Sequence, residues 1–116
     1  MDNMTLYHAD IHLPQEAKGL EFASLLKYTH HARQAAQEDN YGPIKLPTVF
    51  DSRNATLIEA GTVDGQVTKA VYRQHYDSRF DLCLVFNLKA NRVITVWLND
   101  KNDHHKSLDG GKYASN

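Results

Sequence analysis

The clearest signal along the chain is an alternation over residues 93–99. Ile94, Val96 and Leu98 fall on one side of an extended backbone, with Val93, Thr95, Trp97 and Asn99 on the other. A period of two built from β-branched and aromatic residues predicts a strand with a buried face. The run before it, DLCLVFNLKAN, predicts a partner strand over residues 80–88, closed by a turn at Ala90-Asn91. Further back, residues 55–63 and 66–76 read as two more strands. Asp64-Gly65 between them is a two-residue hairpin signal, and Asp77-Ser78-Arg79 turns the chain again. Four strands joined by short turns predict an antiparallel meander.

Residues 15–39 change period. Phe22, Leu25, Leu26, Ala32, Ala35 and Ala36 recur at three- and four-residue steps, as on one face of a helix. This is one long helix or two pieces split near residues 27–29. The split is preferred because Tyr28 and Thr29 are poor mid-helix residues, and Thr29 is a good N-cap for a helix over residues 30–39. Asn40, Gly42 and Pro43 stop that helix, and Pro47 marks a second break. Residues 5–12 alternate weakly and read as an edge strand ended by Pro14. The expected fold class is α+β, an N-terminal helical region packed on a four-stranded antiparallel meander. A single domain spans residues 1–116, and residues 106–116 form a polar tail.

Composition narrows the field only a little. With 116 residues and a formal net charge of −1, the chain has no global field drawing it to nucleic acid or to a membrane surface, although a local basic surface is still allowed. Cys83 is the sole cysteine. It lies within the apolar run 82–86, where it reads as a buried core residue, and a chain without an internal disulfide fits a reducing, cytoplasmic setting. No apolar stretch reaches bilayer length and the N-terminus lacks a signal-peptide pattern, so no membrane partner is expected. Seven histidines raise the question of metal. His30-His31 and His104-His105 are adjacent pairs rather than helical i, i+4 pairs. His8 and His12 share a strand face, and Asp100, Asp103 and His104 lie close in sequence, yet none has the spacing of a known site. Neither a metal nor a cofactor is expected.

Candidate chemistry comes from face assignment. In residues 66–76, Val67, Lys69, Val71, Arg73 and His75 share one face and Thr68, Ala70 and Tyr72 take the other. If the second set meets the helices, Lys69, Arg73 and His75 lie on an open face, level with Thr95, Trp97 and Asn99. Cations neutralise a phosphate, an aromatic ring stacks a base, a hydroxyl or amide orients a phosphate oxygen, and histidine moves protons near neutral pH. The competing reading is a wetted sheet surface, common in antiparallel sheets. His30-His31 sits at the start of the predicted helix, where the helix dipole favours neutral imidazole and a base role; a surface histidine pair is the plainer reading.

The order of a helix opening THHAR, a break with YGPIKLP, the strands TLIEAG, KAVYRQHYD and DLCLVFNL, and then VITVWLNDKNDHH resembles the small ribonuclease-toxin fold shared by RelE, barnase, EndoU and the tRNase colicins. It most resembles bacterial and phage domains of unknown function with an HA-x-x-R-like helix and a terminal VxTVW/Y strand, over residues 27–105. The resemblance implies catalytic roles for His30 or His31, Arg73 and Thr95, and places an aromatic at Trp97. Lys69, His75, Trp97 and Asn99 then read as substrate-binding. The function expected is a metal-independent endoribonuclease of toxin or phage-effector type, cleaving RNA by 2′-hydroxyl transesterification. RNA, and a host or antitoxin protein, are the expected partners. The alternative is a non-enzymatic phage or mobile-element protein that inhibits a host protein through the same sheet face. On the enzymatic reading, Arg73→Ala abolishes cleavage and spares the fold.

Overall fold

The computed structural model describes residues 22–103 and the backbone of one N-terminal strand, Thr5–His8 (β1). The remaining elements are β2 (Ala23–Leu25), helix α1 (His30–Gln37), β3 (Val49–Asp51), a 3-10 turn (Ser52–Asn54), β4 (Ala55–Val63), β5 (Gln66–His75), β6 (Phe80–Asn87) and β7 (Arg92–Asp100). The protein is mixed α/β. Strands β4 to β7 form the expected antiparallel meander, and β1 extends it along β4, giving the order β1-β4-β5-β6-β7. At the β4–β5 hairpin both central residues have positive φ, 51° at Asp64 and 80° at Gly65, the requirement of the turn whose twist matches the strands it joins.

The helical expectation is corrected in part. Among the described residues α1 is the one helix, and it starts where Thr29 was expected to cap it: the Thr29 hydroxyl accepts from the Ala32 N–H at 3.1 Å. The segment before it is not helical. Ala23–Leu25 pairs antiparallel with Val49–Asp51 in a separate two-stranded ribbon. Apolar spacing at Phe22, Leu25 and Leu26 fits a helix equally well; long-range pairing and the aromatic cluster decide against it. Phe22 and Phe50 pack with Tyr72 of β5 and Phe86 of β6, with ring centroids 4.8–5.8 Å apart. The helical reading of residues 15–21, the strand reading of residues 9–12, and His12, His104 and the polar tail all lie outside the described residues.

One face of the meander carries the main core. Ala32 and Ala36 of α1, both small enough for close approach, meet Ala70, Tyr72, Leu82, Leu84, Phe86, Val93, Val96 and Leu98. Thus Ala70 and Tyr72 face the helix side as expected, whereas Thr68 is the extra residue of a bulge in β5 (Gly61 pairs with Lys69 but Thr62 with Val67) and lines a groove with Lys69 instead. A β-bulge alters β7: Phe86 pairs with Val93 but Val85 pairs with Thr95, so Ile94 is the extra residue. Val93 therefore turns to the core, while Ile94 joins Trp97, Ile58, Val71 and Val85 on the second face. The clean alternation of Ile94, Val96 and Leu98 is broken at its first member.

The second face is not open throughout. Its centre is as buried as the main core, with Val71 and Val85 at 1 % exposure and Cys83 at 0 %. Glu59, paired with Val71 across β4 and β5, is buried as well. No helix of the described residues is long and apolar enough to cross a membrane.

Candidate functional site

The expected lateral alignment is present in part: Arg73 is level with Trp97 and His75 with Asn99, but Lys69 is level with Arg92, and Thr95 with Val71. Arg73, Cys83 and Trp97 share one row across β5, β6 and β7; Val71, Val85 and Thr95 share the next; His75, Asp81 and Asn99 share a third; and Lys69, Asn87 and Arg92 a fourth. With the middle of the face buried, these rows separate into two ends with different chemistry.

At one end the charges are spent on one another. Arg73, only 11 % exposed, donates from Nε to Asp81 Oδ2 at 2.7 Å and from its two terminal nitrogens to the carbonyls of Asp103 (2.7 Å) and Asp100 (2.9 Å). Lys101 Nζ donates to Asp81 Oδ1 at 2.6 Å and lies 2.9 Å from His75 Nδ1. An ammonium can only donate, so His75 Nδ1 is the acceptor in this contact. Buried Asn99 donates from Nδ2 to the same two carbonyls, of Asp100 and Asp103. Burial would raise the Asp81 carboxyl, but hydrogen bonds from Lys101 and Arg73 and their charges outweigh it and hold the pKa below the ordinary value. Arg73 and Asn99 thus anchor the turn after β7. A groove of about 430 Å³ opens here, lined among others by Thr56, Arg73, His75, Asp81 and Lys101.

The other end is basic and uncompensated. Among the described residues, Lys27, Arg33, Lys69, Lys89 and Arg92 make no ion pair, and all but half-buried Lys69 are exposed. Arg33 instead lies over the Tyr28 ring, 5.6 Å from its centroid. The Tyr28 phenol is pushed up to about 12 by burial, partly opposed by the Arg33 charge, and it donates to the Pro47 carbonyl at 2.6 Å.

What joins this basic region to the histidines is the outer edge of β7. The Val93 N–H donates to the Lys27 carbonyl at 2.8 Å, the Thr29 N–H donates to the Val93 carbonyl at 3.0 Å, and the Thr29 hydroxyl donates to the Ile94 carbonyl at 3.3 Å. Further along, the Leu98 N–H donates to Asp39 Oδ1 at 3.1 Å. These two clasps blunt an edge that would otherwise recruit strands from other chains. Thr29 uses its hydroxyl as donor to β7 and acceptor from Ala32, so one side chain both starts α1 and fixes it to the strand. Exposed His30 and His31 follow Thr29 directly, and half-buried Thr95 follows Ile94. No hydrogen bond or ion pair joins either histidine to Arg73, Thr95 or Trp97 among the described residues.

The structure thus brings His30 and His31 to the strand that bears Thr95, and separates them from Arg73 and Asn99, which are committed to the turn. Lys69 and His75 stand at opposite ends of the second face, and Trp97 packs beside Ile94 between them. Sequence reasoning missed Asp81 and Lys101, whose pairing depends on register, and the cations Lys27, Lys89 and Arg92. The strings KYTHHAR (residues 27–33) and LKANR (residues 88–92) were the available signals for the last group: each carries lysine, arginine or histidine without an acid. Among the described residues there is no group of three or more histidine, cysteine or acidic side chains placed to hold a metal. No family model matches the chain, and neither the curated proteins nor the solved structures contain a significant match to it.

Proposed function

We propose that the protein is a metal-independent endoribonuclease whose working centre lies at the outer edge of β7, where α1 begins. The observation that carries this reading is the pair of hydrogen bonds from Thr29 to the Val93 and Ile94 carbonyls, which fixes the start of α1, with exposed His30 and His31, to the edge of the strand that bears Thr95, where Lys27 and Arg92 make no ion pair among the described residues. One imidazole of the pair takes the proton of an RNA 2′-hydroxyl. That oxygen attacks the adjacent phosphorus, the bond to the 5′-oxygen breaks, and the departing oxygen takes a proton from solvent, leaving a 2′,3′-cyclic phosphate. The Thr95 hydroxyl donates to a non-bridging oxygen, and Lys27 and Arg92 offset the phosphate charge. Arg73 is given no part in this step, because each of its three nitrogens already donates, to Asp81 or to the carbonyls of Asp103 and Asp100. The test is incubation of the purified protein with total bacterial RNA in EDTA, with the ends analysed by mass. Discrete fragments ending in cyclic phosphate support the reading, and intact RNA at high protein concentration overturns it.

A second reading, a binder that inhibits a host protein, is favoured by one observation. Leu25 and Val49 are register partners on the ribbon and stand 72 % and 61 % exposed. On this reading the contact surface is the ribbon rather than the sheet face, and Leu25→Ser with Val49→Ser abolishes inhibition while RNA is left uncut.

A further inference from the structure

A groove of about 480 Å³ lies where the β4–β5 and β6–β7 hairpins come together, lined by Val63, Thr68, Lys69, Asn87, Lys89 and Ile94, with Ala90. Two ammonium groups and an amide face an apolar wall of Val63 and Ile94. Neither lysine makes an ion pair among the described residues, and of the residues in the two hairpin turns only Asp64 is acidic. The Asn87 side-chain oxygen already accepts from the Ala90 N–H at 3.0 Å, which leaves its NH₂ as the available half of the amide. Thr68, nine-tenths buried at the groove, has a hydroxyl without a hydrogen-bond partner among the described residues. A buried donor of this kind is costly to leave unmet.

The β-bulge ties this groove to the edge of β7. Because Ile94 is the extra residue, its side chain turns to the second face and lines the groove, while its carbonyl accepts from Thr29 at the start of α1. The row containing Lys69 lies two residues from the row containing Thr95, about 7 Å along the strands.

We propose that this groove is a subsite for single-stranded RNA, taking the phosphate next to the one attacked on Lys69, Lys89 and the Asn87 amide, with that nucleotide's sugar or base against Val63 and Ile94. The assignment rests on the ribonuclease reading for its substrate, but the anion site can be tested without it. Isotope-labelled protein is titrated with adenosine 5′-monophosphate and, separately, with inorganic phosphate, following the backbone amides of Lys69, Asn87, Lys89 and Ile94. The same titration is run on Lys69→Gln/Lys89→Gln, whose amide spectrum reports whether it is folded. Saturable shifts at the groove with the nucleotide, weakened at least about tenfold in the double variant, support the subsite, since each lost charge-assisted bond weakens binding by about that factor. Absence of shifts at the groove, or shifts unchanged in the folded variant, overturns it. Cleavage assays separate the two claims. RNA cut with an unchanged KM in the double variant overturns the subsite and leaves the ribonuclease standing. A groove that binds nucleotide in a protein that never cuts RNA overturns the ribonuclease and supports the anion site.

Discussion

At the scale of single residues, Arg73 shows how the same side chain can look catalytic in a sequence and structural in a fold. A guanidinium with Nε on a carboxylate and both terminal nitrogens on carbonyls of one turn is a clamp. A lysine, a point charge on a flexible stem, cannot make that fork. Arg73→Lys is therefore expected to lower stability by about 2 kcal/mol, the scale of one or two lost hydrogen bonds to charged groups, read as a shifted urea midpoint. Asp81→Asn weakens the same network, and its effect depends on pH. The Asp81 carboxyl sits below its ordinary 3.8 in the folded protein, so its stabilising contribution is fully present above that value and is lost as pH falls through the folded-state pKa. The stability gap between wild type and Asp81→Asn should be constant near neutrality and close only in acid. A gap that instead changes between pH 6 and 8 contradicts this assignment.

At the scale of elements, Thr29 does two jobs with one hydroxyl, and removing it should be felt twice. Thr29→Ala costs about 1 kcal/mol through the lost cap and also frees α1 from β7. Hydrogen exchange at Ala32 and Val93 should quicken together in this variant, while exchange in β5 and β6 stays slow. Much at this scale was legible beforehand. Residues 55–63 read as a strand followed by the Asp64-Gly65 turn, and β4 occupies those residues; Thr29 caps the helix as its side chain suggests. What was not legible depends on partners far along the chain. Phe22 and Leu25 fit a helix until Val49 and Phe50 pair with their segment. Ile94 keeps perfect alternation until a bulge, which adds a residue without any change of composition, moves it across the sheet. Alternation puts Arg73 and Trp97 on one face without fixing their register, and the carboxylate of Asp81 and the carbonyls of Asp100 and Asp103 that occupy Arg73 come from that register and from a turn that no local pattern announces.

At the scale of the whole molecule, a net charge of −1 conceals segregation. Asp81 is ion-paired with both Arg73 and Lys101 at one end of the second face, while Lys27, Arg33, Lys69, Lys89 and Arg92 are without acid partners among the described residues. RNA affinity should therefore be strongly salt-dependent despite the unremarkable total. In Lys27→Gln/Arg92→Gln the slope of log affinity against log salt should fall by about 1.4, two single-strand phosphate contacts at about 0.7 each. An unchanged slope would place the RNA elsewhere.

The central claim is that the working site is the edge of β7 at the start of α1 and not the row through Arg73. The most direct test measures RNA cleavage in EDTA at 10 °C, with thermal melts in parallel, for wild type, His30→Asn/His31→Asn, Thr95→Ala and Arg73→Lys. The expected result is loss of cleavage in the first two variants with melting unchanged, and cleavage retained by an Arg73→Lys protein that melts earlier. A folded Arg73→Lys protein that no longer cuts, beside a histidine double variant that still does, would contradict it.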